Sequence, residues 1–357
     1  MLHTAIPRRR MTWWAAAAVA GLALTGCAST ESSAGDEASS AGSTSAAAGA
    51  FPVTIPSALG DVTIESKPER VATVNWGNQD VPLALGVVPV GFQKATYGDD
   101  DNDGVLPWTE EALQGLGATG DKMPVLFDET DGIPFEAVSN TTPDAILAAY
   151  SGLTAEDYAT LTKIAPTVAY PQYAWGTNWE DMALVNGEAL GLKAEAQAKV
   201  DEIKAQIQQG LASRPAVAGK TFAYTYIDPA DRSKIGVYTP LDSRVQLLHD
   251  LGMKDAPSVV TLAGSSTEFY VDLSAENADQ LADVDVLVTY GDASTLASLQ
   301  ADPLLGKIPA VARGSVAVVP DATPLASSIT SPTLLSLPFG LNDYLDLLQG
   351  AASKVGA

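Results

Sequence analysis

From residue 60 onward, short apolar runs alternate with stretches whose apolar positions recur every three or four residues. The runs at 71–75 (VATVN), 87–92 (VVPVGF), 144–149 (DAILAA) and 167–170 (TVAY) read as one set of strands. A second set follows at 220–227 (KTFAYTYI), 235–239 (IGVYT), 268–273 (EFYVDL), 284–290 (VDVLVTY) and 315–320 (SVAVVP). Helical patterns fall between them, at 78–85, 108–116, 154–163, 242–251 and 294–300. This alternation predicts an α/β fold with mainly parallel sheets flanked by helices, formed twice. Between the two sets, residues 193–213 (KAEAQAKVDEIKAQIQQGLAS) carry Ala196, Val200, Ile203, Ile207 and Leu211 as one apolar stripe. At 1.5 Å per residue such a helix is about 30 Å long, the width of a small domain. The predicted organisation is an N-terminal lobe over 51–192, a connecting helix over 193–213 and a C-terminal lobe over 214–351.

The first fifty residues follow a different pattern. Three arginines (Arg8, Arg9, Arg10) precede an apolar stretch from Trp13 to Leu24, and the quartet Leu24-Thr25-Gly26-Cys27 follows. Twelve apolar residues are too few to span a bilayer, and the order is that of a secretory signal peptide over 1–26. The quartet resembles a bacterial lipobox, which implies diacylation of Cys27 and anchoring to the outer face of the cell membrane. Cys27 is the chain's single cysteine, so the exported body uses no disulfides. Residues 28–50 hold no large apolar side chain and read, with Cys27, as a lipidated, disordered tether over 27–50.

Charge and histidine count then narrow the function. The chain carries a formal charge of −23, and removing residues 1–26 takes away three arginines and no acid. Such a surface repels phosphate backbones, which excludes nucleic acid as a partner. His249 is the one histidine after the leader, so no histidine-rich metal site and no Cys–His pair can be built. It lies beside apolar positions in RVQLLHDLG and reads as a structural or surface histidine, not a catalytic base. A GKT at 219–221 lacks the earlier glycine of a phosphate loop, since Arg214 holds that position.

Seven segments stand out in order: PERVATVNWGNQDVPLALGVVPVG (68–91), TTPDAILAAYSG (141–152), LTKIAPTVAY (161–170), WEDMALVNGEALG (179–191), LLHDLG (247–252), DPLLGKIPAVARGSVAVVP (302–320) and SPTLLSLPFGLNDYLDLL (331–348). Together they resemble the iron-siderophore and cobalamin substrate-binding proteins of ABC importers. LPWTEEAL and WGTNW look most like the actinobacterial iron-siderophore branch. The resemblance implies two α/β lobes joined by one long helix, with the ligand in the cleft between them and little closure. It implies a monomeric receptor that catalyses nothing, requires no cofactor, and hands a ferric siderophore to an ABC permease. It also implies one exposed glutamate per lobe for docking to the permease; Glu136 and Glu276 match those positions.

Ligands of open parallel sheets lie beyond the carboxyl ends of the strands. Those ends carry Trp76, Tyr150, Tyr173 and Trp175 in the first set, and Tyr226, Arg232, Tyr238, Arg244 and Tyr290 in the second, with Trp108 opening a helix after the 98–104 loop. Two arginines among aromatic walls are too few to offset a trianionic ferric tricatecholate. They suit a neutral or cationic ferric hydroxamate, or a mixed chelate. Haem or cobalamin is the alternative within this class, and a surface hydrolase or an adhesin the alternative outside it.

Residues 99–110 (DDDNDGVLPWTE) match the calcium loop of an EF-hand. Asp99, Asp101 and Asp103 stand at positions 1, 3 and 5, Gly104 at 6 and Glu110 at 12. Against this, a strand pattern precedes the loop instead of a helix, and Pro107 occupies position 9. The spacing makes a structural calcium the candidate occupant, with a solvated acidic loop as the plain alternative.

Overall fold

A computed structural model describes residues 51–356. The leader, Cys27 and the tether expected over 27–50 lie outside the described residues. A hairpin opens the described chain: β1 (Val53–Ile55) pairs antiparallel with β2 (Val62–Ile64) and packs its apolar side under the first sheet.

That sheet contains β3 (Val71–Thr73), β4 (Gly91–Gln93), β5 (Val125–Phe127), β6 (Ala145–Leu147) and β7 (Thr167–Val168), all parallel, in the order β5-β4-β3-β6-β7. Every residue of β3 and β6 is buried, because helices cover both faces of the sheet, and such strands show no alternation. The apolar run expected as a strand over 87–92 begins pairing only at Val90, whose N–H bonds to the Val71 carbonyl at 2.7 Å. Gly86 turns the chain with φ +79°, the Val87 N–H bonds back to Pro82, and Pro89 has no N–H to give.

The second sheet holds β8 (Thr221–Tyr226), β9 (Lys234–Tyr238), β10 (Lys254–Asp255), β11 (Tyr270–Ser274), β12 (Val286–Gly291) and β13 (Val316–Pro320). Its order is β11-β9-β8-β12-β13, with β10 beside the start of β8. The β8–β12, β12–β13 and β8–β10 pairs are parallel, while β9 and β11 run antiparallel. The link from β8 to β9 is too short for a crossover helix, so the chain turns back as a hairpin.

The strand order in each sheet reverses direction at one place, between β3 and β6 in the first and between β8 and β12 in the second. A crevice opens at such a switch point, because the connections leave to opposite sides. Both crevices face the seam where the two halves meet.

The connecting segment is helical from Lys193 to Ala212, with Ala196, Val200, Ile203 and Ile207 buried. It packs against the helices Trp179–Ala189 and Ser336–Ala352. The largest apolar cluster is continuous across the halves, running from Ala149, Trp179 and Met182 through Val200 and Ile203 to Tyr224, Leu248 and Leu345. Polar ties cross the same seam. Trp179 Nε1 donates to Asp250 at 2.9 Å, and Gln246 Nε2 donates to the Gly176 carbonyl at 3.3 Å. Opening the halves would expose shared core, which opposes a wide hinge motion.

The deepest tie centres on Asp80, 1 % exposed at the start of the helix Asp80–Ala84. Its Oδ2 accepts from Trp108 Nε1 at 2.8 Å and from Thr333 Oγ1 at 2.6 Å; Oδ1 accepts from Thr109 Oγ1 at 2.7 Å. Thr333 belongs to the C-terminal segment between the helices Pro324–Thr330 and Ser336–Ala352, so the carboxylate clips that segment to the first half. Burial pushes Asp80 up to about 6, although these donors pull the other way.

Candidate functional site

Between the two switch points lies a cavity of 480 Å³, within the size range of small-molecule sites. Trp76, Tyr97, Tyr150 and Trp175 line it from the first half, and Tyr226, Tyr238, Arg244, Phe269, Tyr290, Asp321 and Thr330 from the second.

The first-half wall is set by the loops after β3 and β6. Asn75 has φ +59°, a left-handed conformation that asparagine tolerates better than most residues. Its backbone N–H and Nδ2 donate to the Glu129 carboxylate, and its Oδ1 accepts the Gly152 N–H at 3.2 Å. Burial pushes the Glu129 carboxyl up, with the Asn75 bonds opposing. Three loops are thereby tied together, and Trp76 follows directly, stacked on Tyr97 at 6.3 Å and 12°. Tyr150 is held by Asn78, whose Nδ2 donates to the Tyr150 carbonyl at 2.8 Å. The ring of Tyr150 meets Trp175 edge-on at 5.4 Å. A Cβ at Gly152 would overlap the Trp175 indole, so only glycine lets that ring sit there.

The second-half wall is built around Arg244. Asp242 caps the helix Ser243–Asp250, and its buried carboxylate takes a two-pronged bond from Arg244: Nε to Oδ1 at 2.7 Å and Nη2 to Oδ2 at 2.6 Å. The guanidinium lies over the Tyr238 ring, with Cζ 3.8 Å from its centroid. Burial works against the arginine's charge, but Asp242 more than restores it and holds the pKa above the ordinary range. Nη1 is left without a protein partner among the described residues, a donor available at the cavity wall. Tyr290 Oη shares a 2.8 Å bond with Thr330 Oγ1. Burial pushes the Tyr150 phenol up to about 12 and those of Tyr97 and Tyr238 further up. As phenols, all three offer hydrogen-bonding groups to the cavity.

Seven of the ten residues read from the sequence meet on this cavity, and three do not. Trp108 is buried behind it, bonded to Asp80 and packed on Phe339 at 5.2 Å. Arg232 donates from Nη1 and Nη2 to the Ser298 carbonyl and hydroxyl, pinning its loop to the helix Thr295–Ala301. Tyr173 is exposed in a separate depression beside Leu241 and Gln246. Tyr97, Phe269, Asp321 and Thr330 were not foreseen. Tyr97 and Asp321 obey the strand-end rule, since they follow β4 and β13. Phe269 precedes the antiparallel β11, where that rule does not apply.

In the acidic loop, Asp99, Asp101 and Asp103 bring one oxygen each within 4.8 Å of one another. Glu110 does not join them: its carboxylate accepts from Gln114 Nε2 at 2.8 Å along the helix Pro107–Gly115. The aspartates instead cap the loop's own amides, Asp99 accepting from Asn102 and Gly104, and Asp103 from Val105. Glu136 and Glu276 are both exposed, each in the first turn of a helical segment. His249 sits beside Phe222 with Nε2 3.0 Å from Asp255. Among the described residues, no helix is long and apolar enough to cross a membrane.

The profile of the periplasmic binding protein family matches residues 71–323. The chain belongs to that family. Among solved structures, this periplasmic binding protein is similar to PiaA of Streptococcus pneumoniae in complex with ferrichrome. The two share 46% identity and a TM-score of 0.81, over 85% of this chain and 99% of that one. A periplasmic solute binding protein of Mycobacterium smegmatis is 27% identical with a TM-score of 0.66, over 85% and 98% of the two chains. Among characterised proteins, the Fe(3+) dicitrate-binding periplasmic protein FecB of Escherichia coli is 25% identical over 279 residues, 77% of this chain and 84% of FecB. The family's place is outside the cytoplasm, as the substrate-binding partner of an importer.

Proposed function

We propose that this periplasmic binding protein is a lipid-anchored receptor, held to the membrane through Cys27, that captures a ferric hydroxamate siderophore and delivers it to an ABC permease. It works as two lobes, 51–192 and 214–351, and catalyses no reaction. The cavity's composition carries the reading. Its walls are mostly aromatic, its arginine is already neutralised by Asp242, and its one other charge is a carboxylate. No histidine lines it, and the phenols of Tyr97, Tyr150 and Tyr290 are engaged by Asp321, Ser243 and Thr330, which favours a metal that arrives already wrapped. The likeness to PiaA bound to ferrichrome supports the hydroxamate class. A ferric citrate or tricatecholate complex brings negative charge that this cavity does not offset, despite the likeness to FecB.

Trp76 and Trp175 stand in the cavity, so their fluorescence reports on binding directly. Titration with a ferric cyclic trihydroxamate should quench them saturably, and a ferric tricatecholate should not; the reverse ranking would overturn the assignment. Glu136 and Glu276 are proposed to dock to the permease. Reversing either charge to lysine should abolish uptake by cells and leave chelate affinity as it was; a loss of affinity would remove that role.

A further inference from the structure

Asp321 lies just past β13 at the carboxyl edge of the second sheet and lines the cavity. Its Oδ1 accepts from Tyr97 Oη at 2.8 Å, across the seam, and from the Ala322 N–H at 2.9 Å. Its Oδ2 has no protein partner among the described residues, and no arginine or lysine pairs with it there. The other charge on the lining, Arg244, is spent on Asp242. The cavity therefore holds one uncompensated negative charge. The depression beside it, which shares Tyr226, Tyr238 and Phe269, repeats the sign: Lys234 pairs with Asp272 at 3.1 Å, leaving Asp228 and Asp231 unmatched.

We infer that Asp321 selects ligands by charge, and that the preferred chelate is a ferric trihydroxamate bearing a pendant ammonium. This rests on the hydroxamate reading above and narrows it. The free Oδ2 accepts the ammonium at the aromatic wall, where partial exclusion of water makes the pair stronger than in bulk solvent. Tyr97 can keep its bond to Oδ1 throughout. Asp228 and Asp231 add attraction at the mouth, which falls with ionic strength.

The test compares a linear ferric trihydroxamate ending in a primary amine with the same chelate acetylated at that amine, by calorimetry on the wild type and Asp321→Asn. The wild type should bind the ammonium form about tenfold tighter, with a larger ratio at low salt. In Asp321→Asn the ratio should fall to about one. A ratio of one in the wild type, or a preference that survives in Asp321→Asn, would overturn the inference. If a neutral cyclic trihydroxamate binds and neither linear chelate does, charge selection is wrong and the hydroxamate reading stands. If no ferric hydroxamate binds, that reading falls and takes this one with it.

Discussion

The seam between the two halves has a floor and a wall, and each is organised around a carboxylate in a different way. On the floor, Asp80 is sealed from water and surrounded by neutral donors from Trp108, Thr109 and Thr333, with Gln79 at 3.3 Å. On the wall, Asp242 is equally buried but answered by a full cation, and Asp321 is exposed with one oxygen unclaimed. A carboxylate satisfied wholly by protein holds the structure together. One left partly open at a cavity is free to meet a ligand. The difference lies in which donors the fold brings within reach, since the residue type is the same in all three.

Removing the cation from the wall should have the largest effect. Arg244→Ala leaves Asp242 buried and unpaired, a change that typically costs about 3–5 kcal/mol. Urea unfolding should show a loss of that order, and a loss below about 1 kcal/mol would mean the pair behaves like a surface ion pair. The floor responds to pH with a smaller amplitude. Folding raises the Asp80 pKa from the ordinary carboxyl range to about 6, so between pH 4 and 6 the folded state holds a proton that the unfolded state has lost. Stability through this group is greatest at low pH and falls as pH rises through that window, by on the order of 3 kcal/mol. Gln79 Oε1 has no partner, and a protonated Asp80 would offer it one once the amide turns. The unfolding free energy of the wild type minus that of Asp80→Asn should therefore rise as pH drops from 7 to 4. A difference that stays flat with pH would show that Asp80 does not titrate in this range.

Much of the fold was legible because β3, β6 and β12 are covered on both faces and so are mostly apolar, without alternation. The hairpin strands β1 and β2, the edge strand β5, which exposes Val125, and β10, the polar pair Lys254–Asp255, are not covered on both faces and were not foreseen. The connecting helix was readable from its stripe, where Ala196, Val200, Ile203 and Ile207 are all buried. The cavity was readable through one rule, that the crevice lies beyond strand ends, and this placed Trp76, Tyr150, Tyr226 and Tyr290 on its lining. The rule says nothing of where a side chain points, which is why Arg232 turned out to bind Ser298 instead. It also depends on correct strand limits. Ending β4 at Phe92 instead of Gln93, and not following the chain on to Tyr97, hid one wall of the cavity. The calcium-loop spacing brings three aspartates near one another, while the helix beginning at Pro107 gives the Glu110 carboxylate a partner along its own face.

The central claim is that iron enters this cavity already enclosed by its chelator. Anomalous X-ray diffraction at the iron edge, from crystals grown with a ferric cyclic trihydroxamate, tests it most directly. The account predicts a single iron peak among Trp76, Trp175 and Arg244, with every coordinating oxygen supplied by the chelate. An iron bonded to a tyrosine oxygen or to Asp321, or a peak outside the cavity, would contradict it.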